Sequence, residues 1–383
     1  MRVGLRRLGG LVASTALATG AGLVVLGGTA GAATFTVVNT ADDGSNTSLR
    51  DVIENQATTD GDEVVLTAGA TYNLSNSICS DLDTAADITI RSSSTTQNAT
   101  IIQNCAGVDV IDAGDANLNL TVQNLNVTGG LSTEDGGAIT VSEDLMLVRS
   151  RLFGNASSGD GGAMEIDGDM TIVNSTITQN TSHEDGAVDF DGEVMSLVYS
   201  DVVANIHEQN VDCGVPDEAS LDDPGEVALP DPGDAEVEPE DTGEASNIEG
   251  GFNSFGSVVA IPLNNDPAPD PVNCEDTATS SGYNFSDDDT CEFTNVAAGD
   301  RENAGDRGLG ELADNGGPTP TLLPADTSPL VNFIPLAACG GGDALAGFAV
   351  TTDQRGITRP QETGCEIGSV ELEAVELVVQ FTG

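Results

Sequence analysis

The sequence predicts an all-β parallel solenoid, because residues 118–207 repeat with one fixed period and show only strand-like local patterns. Aliphatic positions recur at a constant interval in three columns, and serine and asparagine keep the same interval in two more. A fixed period in this range indicates stacked supersecondary units. The columns are Val127, Leu152, Ile177 and Val202; Val122, Leu147, Ile172 and Leu197; Leu120, Leu145, Met170 and Met195; Ser150, Ser175 and Ser200; and Asn155, Asn180 and Asn205.

Each repeat unit consists of short alternating segments. Residues 170–177 (MTIVNSTI) predict two short strands, and no unit contains a helix-length amphipathic stretch. A propeller blade needs about 40 residues, whereas one coil of a parallel β-helix fits the observed period. Equivalent side chains then stack about 4.8 Å apart, with aliphatic columns inside and an asparagine amide ladder at a bend.

The composition excludes several classes of partner. The chain has 63 acidic residues, 11 arginines, no lysine and a net charge of −52. Without residues 1–32, which hold three arginines and no acid, 8 arginines face 63 acids and the charge is −55. Nucleic-acid binding requires clustered basic residues, so it is excluded, as is a basic face for anionic lipid. Aromatic residues make up 3% of the chain, which disfavours an aromatic-lined sugar cleft.

The N-terminal region predicts export followed by a cap. Arg2, Arg6 and Arg7 precede an apolar stretch, and residues 30–32 (AGA) form a small-residue cleavage site, so residues 1–32 are read as a signal peptide. No transmembrane segment is expected after its removal. Residues 34–38 predict a strand and 47–53 a short helix with a Thr or Ser N-cap. Because the open end of a solenoid needs covering, residues 33–57 are predicted to be the N-terminal cap.

The rest of the chain divides by composition. Residues 58–213 are predicted to form the β-helix coils, with early coils of less regular length. Residues 214–250 contain 13 acids, five prolines and no base, which predicts a disordered insertion. Residues 251–371 are predicted to continue the helix into a disulfide-tied cap, and residues 372–383 to be a tail.

Six segments carry a resemblance to one bacterial family. They are 34–42 (TFTVVNTAD), 48–53 (SLRDVI), 281–285 (SGYNF), 312–321 (LADNGGPTPT), 353–361 (DQRGITRPQ) and 365–368 (CEIG). With these segments the chain is similar to the secreted "choice-of-anchor Q", CSLREA-type β-helix proteins, which are related to polymorphic outer-membrane-repeat proteins. The resemblance implies a right-handed, pectin-lyase-like parallel β-helix on the cell exterior and no catalytic residues. Glu366 stands where the family pattern has Asp.

Seven cysteines in an exported chain suggest disulfides. Sequence proximity suggests a Cys79–Cys105 pair. Proximity together with the family resemblance suggests Cys274–Cys291 and Cys339–Cys365. Cys213 is left over and is expected to be free or bonded to another molecule. A Cys/His metal cluster is the alternative, although no CxxC motif is present.

One column of carboxylates predicts a calcium site. Asp135, Asp160 and Asp185 keep the same period as the aliphatic columns, and each precedes a glycine. In a solenoid these like charges stack about 5 Å apart and repel one another. A Ca²⁺ ion between the coils relieves the repulsion by accepting oxygen ligands. The alternative is that all three side chains project into solvent; no other cofactor is predicted.

An enzyme would need a catalytic group. The chain lacks lysine and the Gly-His-Gly motif of β-helix polysaccharide hydrolases. Arg149 and Arg151 are expected to pair with nearby acids, and the alternative is that they form a base or an anion site. His183 stands beside two acids and is expected to be solvated.

The sequence therefore predicts a non-catalytic secreted or cell-surface protein with a structural, adhesin-like role. Its expected partner is a cell-surface or extracellular glycan or protein. The second hypothesis is an extracellular polysaccharide lyase or glycoside hydrolase acting on acidic glycans.

Overall fold

The computed structural model describes residues 31–74, 79–114, 117–183, 186–208, 245–264, 270–293, 299–305 and 307–373. Residues 32–383 form one of two structural units, and the other, residues 1–31, lies almost wholly outside the described residues. Four parallel sheets, here called A, B, C and D, contain nine, eight, seven and five strands. A complete turn passes through sheets A, B, D and C in that order. The predicted parallel β-helix is confirmed.

The strands of each sheet stack in chain order. Sheet A comprises Thr34–Val37, Asp62–Leu66, Ile88–Ser92, Leu120–Gln123, Leu145–Val148, Met170–Val173, Met195–Val198, Phe252–Phe255 and Thr279–Gly282. Sheet B comprises Thr71–Leu74, Ala99–Gln103, Leu125–Thr128, Arg151–Phe153, Thr176–Thr178, Asp201–Val203, Val258–Ala260 and Phe285–Ser286. Sheet C comprises Leu82–Asp83, Ile111–Ala113, Ile139–Val141, Met164–Ile166, Val188–Phe190, Ala245–Ile248 and Val272–Cys274. Sheet D comprises Leu131–Ser132, Ala156–Ser157, Thr181–Ser182, Ile206–His207 and Leu263–Asn264.

The aliphatic columns form the interior. Val127, Leu152, Ile177 and Val202 pair in register in sheet B, and each has 0% exposure. The other two aliphatic columns pair equally regularly in sheet A. Each fully buried aliphatic side chain stabilises the fold by about 1.5–3 kcal/mol through removal from water. Repetition of such columns explains why short strands suffice to form one continuous core.

A left-handed residue turns the chain from sheet A into sheet B, and it is followed by serine in the turns at Ser150, Ser175 and Ser200. In four successive turns the left-handed residue has φ between 46° and 54°. The backbone N–H of Ser150 donates to Ser175 Oγ (3.2 Å), and that of Ser175 donates to Ser200 Oγ (3.1 Å). The serine column therefore satisfies corner amides that the sheets leave unpaired. The left-handed residues are Asn124, Arg149, Asn174 and Tyr199.

The asparagine column forms the predicted amide ladder. Asn155 Nδ2 donates to Asn180 Oδ1 (2.9 Å), and Asn180 Nδ2 donates to Asn205 Oδ1 (3.0 Å). The ladder continues through Asn247 and Asn273, with bonds of 2.9 and 2.7 Å. All five side chains are at most 1% exposed. Each asparagine thus links two turns through buried hydrogen bonds.

The N-terminal segment covers the first turn, as predicted. An α-helix, Leu49–Asp51, continues into a π-helical segment, Val52–Gln56, and Ser48 Oγ accepts from the Asp51 N–H at its start. Leu49, Val52 and Ile53 belong to the main core. Arg50 is 4% exposed and pairs with Asp42 and Glu54. The helix therefore contributes apolar side chains to the end of the core.

The C-terminal segment lies along the outside of sheets A and B, whereas the sequence analysis assigned it to a cap. It contains two antiparallel pairs, Leu309–Ala313 with Thr321–Pro324 and Ile334–Pro335 with Gly364–Cys365. It also contains a 3₁₀ turn, Leu336–Ala338, and a short helix, Asp343–Ala346. Outward-facing Val173, Val198 and Phe255 form a second core with this segment. The physical reason for the position is thus the apolar outer face of the middle turns.

Buried charges join this segment to the β-helix. Arg359 Nη1 lies 2.5 Å from Glu371 Oε1, both side chains are fully buried, and the guanidinium stacks over Tyr199 at 4.1 Å. Burial, followed by the neighbouring Glu371, raises the pKa of Glu366 to about 9. A proton on Glu366 supplies a donor to Glu371, since each has an otherwise unpaired carboxyl oxygen. We call Arg359, Glu366 and Glu371 the clasp.

The clasp predicts that stability falls as the pH rises. Between the unfolded pKa of 4.5 and the folded pKa of about 9, folded Glu366 holds a proton that the unfolded chain has released. The stabilisation is therefore complete below the lower value and is lost as the pH rises towards the higher one. Urea unfolding in EDTA at several pH values across this window should show the decline.

The matched variant is Glu366→Gln, which keeps a donor towards Glu371 and has no proton to lose. The groups facing Glu366 are Glu371, Arg359 and the Asn332 N–H. This variant should show a shallower decline than the parent protein. A stability that rises across the window, or an unchanged slope in the variant, would contradict the assignment.

Three disulfides are present within the described residues, and they join the pairs expected from the sequence. Cys79–Cys105 links two early turns, with a Cα–Cα distance of 5.5 Å. Cys274–Cys291 and Cys339–Cys365 have Cα–Cα distances of 4.8 and 5.8 Å. Cys213 lies outside the described residues.

The predicted insertion requires a correction at its C-terminal boundary. Ala245–Ile248, which the sequence analysis placed inside residues 214–250, is a strand of sheet C. Ala245 and Ile248 are fully buried, and Asn247 joins the amide ladder, so these residues belong to the core. Residues 209–244, which connect sheet D to sheet C, lie outside the described residues, as do residues 1–30 of the predicted signal peptide and 374–383 of the predicted tail.

Candidate cation-binding cleft

An acidic cleft of about 270 Å³ lies where the turn between sheets D and C meets the outer face of sheet C. Six of its eleven lining residues are acidic, and none is basic. This cleft combines a concave shape with a high density of oxygen ligands. Its lining residues are Asp81, Gly107, Val108, Asp109, Asp112, Ser132, Thr133, Glu134, Asp135, Thr140 and Glu165.

The register of sheet C produces much of this density. Asp83, Asp112, Thr140, Glu165 and Asp189 are paired in successive turns, so they form one outward-facing column. Neighbouring members are about 4.8 Å apart along the helix axis, which is the strand spacing. Like charges at this spacing repel and favour protonation or a bound cation.

Three carboxylates at one end of the column could hold a metal ion. Oxygen atoms from Asp81, Asp83 and Asp112 all lie within 4.8 Å of one another. Ligands of Ca²⁺ lie at about 2.3–2.6 Å from the ion, so two on opposite sides are separated by up to about 5 Å. Hard, oxygen-only ligands favour Ca²⁺ over transition metals. The three residues therefore fit Ca²⁺ in both ligand type and spacing.

The raised pKa values of three carboxyl groups in the cleft reflect the same crowding of negative charges. Burial, followed by the charge of Asp83, raises the pKa of Asp81 to about 6. Burial, followed by Asp81, raises the pKa of Asp109 well above its usual value. Burial, followed by Asp135, raises the pKa of Glu165 to about 8. A divalent cation would replace protons at these carboxylates and favour their charged forms.

The structure places the predicted calcium ligands only partly in this cleft. Asp135 lines it, and its Oδ1 accepts a hydrogen bond from the Asp160 N–H (2.9 Å). Asp160 occupies the equivalent turn of the next coil but does not line the cleft. Asp185 lies outside the described residues. Of the predicted column, Asp135 is thus the member that the structure joins to the cleft.

Asp81, Asp83, Asp112 and Glu165 were not predicted as site residues from the sequence. Asp83 and Asp112 belong to early turns whose lengths depart from the regular period, so the column was invisible to a search at that period. The sequence signal for this column was an acidic or hydroxyl residue in the segment that precedes each turn into sheet A.

Arg149 and Arg151 lie on the opposite part of the turn, at the corner of sheets A and B and on sheet B. Neither pairs with an acid among the described residues, so the expected pairing is wrong. Arg151 is 6% exposed and lies over the Phe153 ring at 3.5 Å. His183 is partly exposed in the turn after sheet D and makes a contact with another residue.

Within the part of the chain that the structure describes, no helix has both the length and the apolar character needed to cross a bilayer. Searches against protein-family models, curated proteins and solved structures found no match to this chain. The architecture and the cleft are therefore the observations on which a functional assignment rests.

Proposed function

We propose that this chain is a non-catalytic extracellular β-helix protein with a structural, adhesin-like role, and that Ca²⁺ bound in the acidic cleft stabilises it. Its sequence segments resemble those of the choice-of-anchor Q type of secreted protein. The observation that carries the proposal is the cleft itself, whose eleven lining residues include six carboxylates and no base. Such a surface attracts cations and repels an acidic glycan.

Export is supported by two features. Three disulfides are present within the described residues, and such bonds persist in oxidising compartments. Residues 1–32 have the basic start, apolar stretch and small-residue cleavage site of a signal peptide. Fractionation of native cells tests this directly: the protein should be found in the medium or the envelope fraction, and recovery in the cytoplasm would refute the extracellular role.

Calcium should raise the free energy of unfolding. Ligand binding to the folded state alone stabilises it by about 2.7 kcal/mol when free ligand is about 100-fold above the dissociation constant. Thermal melts with millimolar Ca²⁺ and with EDTA measure the difference. Asp112→Asn should remove most of it, because Asp112 belongs to the three-carboxylate group.

Asp326→Asn is the matched control, since Asp326 is exposed and lies outside the cleft. It should keep the full response to Ca²⁺. A melting temperature that Ca²⁺ leaves unchanged in the parent protein would refute the calcium site, as would an unaltered response in Asp112→Asn.

One observation favours a second function, hydrolysis of a glycan. Burial raises the pKa of Glu165 to about 8, and Glu165 lies in a cleft with five other carboxyl groups, which resembles the pair of carboxyl groups in glycoside hydrolases. The cleft would then need a neutral or cationic substrate, because no lining residue can neutralise a uronate. A turnover assay over polyuronates and neutral glycans, with Glu165→Gln as the variant, separates the two functions. Turnover that this variant abolishes would establish the enzyme and refute the non-catalytic proposal.

A further inference from the structure

The first strand of sheet C and the residue before it carry two of the three carboxylates that could hold a metal ion. Asp81 and Asp83 flank Leu82, which is fully buried, so both acidic side chains lie on the outward face. Asp83 is the register partner of Asp112, the third carboxylate. All three residues are at least partly exposed, so a cation can reach them from solvent. We call Asp81, Asp83 and Asp112 the three-carboxylate group.

This strand has a sheet neighbour on one side only. Leu82–Asp83 is the end strand of sheet C, and its one neighbour is the strand of the next turn. The Thr84 N–H donates to the Asp112 carbonyl (2.9 Å) on that side. The π-helical segment Val52–Gln56 of the N-terminal cap also packs against the strand. An end strand leaves backbone groups unpaired, so two residues with one neighbour need a further contact to fix them.

Arg50 of the cap supplies that contact. Its Nη1 donates to Ser80 Oγ (2.8 Å) and to the Asp81 carbonyl, and its Nη2 donates to the Ser80 carbonyl (3.0 Å). The same guanidinium bonds to both carboxylate oxygens of Asp42 and to Glu54 (3.0 Å) within the cap. Arg50 is 4% exposed, so these bonds are enclosed. One side chain thus joins the cap to the backbone that leads into the end strand.

We propose that Arg50 positions the three-carboxylate group, so that calcium binding and docking of the N-terminal cap favour each other. Arg50 is a positioning residue that fixes the backbone at residues 80 and 81, and Asp81 and Asp83 project from this stretch. Replacing a residue that holds a metal ligand in place typically weakens metal binding by about 10–100-fold. The inference rests on the proposed calcium site and adds the residue that orders it and the element to which it is coupled.

Charge alone would give the opposite effect. A guanidinium bonded to the backbone of Asp81 repels a cation held by the Asp81 side chain. Replacing Arg50 with a neutral residue removes this repulsion and leaves Asp42 and Glu54 without their cation. The region becomes more negative, so on charge alone the variant should bind Ca²⁺ more tightly. A loss of affinity therefore identifies positioning.

Calorimetric titration of the full-length protein with Ca²⁺ tests the positioning role. A chain with 63 acidic residues attracts cations elsewhere too, so the relevant binding is the component that Asp112→Asn removes. Arg50→Met should weaken this component by at least about tenfold. Arg50→Lys should weaken it as well, because an ammonium keeps the charge but lacks the planar fork that makes these bonds.

Arg91→Met is the matched control for the loss of one positive charge. Arg91 pairs with Glu63 on sheet A, and none of its described bonds reaches residues 80–83. This variant should bind Ca²⁺ at least as tightly as the parent protein does.

Ser80→Ala is a milder variant that keeps every charge. It removes the bond from Arg50 Nη1 to Ser80 Oγ and should weaken the same binding component by about threefold, as expected for one hydrogen bond. If Arg50→Met fails to fold, Ser80→Ala decides the question, and an affinity equal to that of the parent protein would then overturn the inference.

Hydrogen exchange followed by mass spectrometry tests the coupling. Because a coupling free energy acts in both directions, bound Ca²⁺ should slow exchange in cap peptides covering residues 48–57. Peptides that contain Thr279–Gly282, at the opposite end of sheet A, are the internal control and should not change. In Arg50→Met, saturating Ca²⁺ should no longer protect the cap.

An affinity that Arg50→Met leaves unchanged or increases would overturn the inference, and so would cap exchange that Ca²⁺ does not slow. Either result leaves the calcium site standing, because the parent protein still binds the ion and Asp112→Asn still loses it. A parent protein without this binding component would refute the calcium site and the inference together. The two failures are therefore distinguishable.

Discussion

Replacing Arg359 with methionine is expected to lower the free energy of unfolding by about 3–5 kcal/mol, the range for removing one partner of a buried ion pair. The variant leaves Glu371 fully buried and without its cation. It also removes the bonds from Arg359 to the carbonyls of Gly368 (2.7 Å) and Glu366 (3.4 Å). Methionine fills a similar volume, so the loss measures charge and hydrogen bonding rather than a cavity. Urea unfolding followed by circular dichroism gives the value.

Arg91→Met is the control for this experiment. Arg91 pairs with Glu63 at 3.0 Å, but the two side chains are 31% and 39% exposed, so the pair contributes about 0–1 kcal/mol. A similar small loss in Arg359→Met would show that the clasp is hydrated and that the C-terminal segment is held by its apolar contacts alone.

The clasp accounts physically for a stretch of sequence that the repeat does not explain. Asp353, Arg355 and Arg359 lie in the C-terminal segment, outside the repeat. Asp353 Oδ2 accepts from the Glu371 N–H (2.9 Å) and pairs with Arg355 (3.1 Å). Ser369 bonds to Asp201 on sheet B. The segment therefore holds the C-terminal chain against the β-helix through buried polar contacts.

The fold was predictable because its information is repeated. Each regular turn has an apolar residue at the same inward-facing positions, so the column of Val127, Leu152 and Ile177 could be identified without any structural template. The ladder at Asn155, Asn180 and Asn205 was predicted for the same reason. A single strand as short as these is difficult to assign from its own sequence. The repetition of the same pattern in successive turns removes this difficulty.

The position of the C-terminal segment was not predictable from that repeat. The signal was present in Val173 and Val198, which are apolar at outward-facing positions of sheet A. An apolar outer face needs a cover, but sequence alone does not say which segment provides it. Phe255 continues this face into the last turns, where the C-terminal segment lies.

The candidate sites were predicted less well, for two different reasons. The acidic column depends on Asp83 and Asp112, whose turns have irregular lengths, so periodicity could not align them. In so acidic a chain Arg149 and Arg151 are expected to pair with nearby acids, and only coordinates show that no acid among the described residues reaches them.

Replacing Asn180 with leucine is expected to lower the free energy of unfolding by about 3–5 kcal/mol, because several buried polar groups lose partners worth about 1–3 kcal/mol each. Asn180 Oδ1 accepts from both the backbone N–H (3.1 Å) and Nδ2 (2.9 Å) of Asn155. Its Nδ2 donates to the carbonyls of Leu152 (3.1 Å) and Thr178 (3.2 Å) and to Asn205. Leucine has a similar size, so the loss of stability measures the hydrogen bonds of the ladder and not the cost of a cavity. Chemical denaturation of the variant measures it.

Asn55→Leu is the matched control, since Asn55 is exposed and bonds to Asp51 at its own surface. Its expected effect is within about 0.5 kcal/mol, as for most surface substitutions. If Asn180→Leu were equally mild, the amide ladder would be dispensable and the aliphatic columns alone would set the register of the turns. The large loss expected here instead follows from position: Asn180 is a middle rung, so removing it breaks the hydrogen-bonded chain on both sides, whereas loss of Asn155 would break it on one.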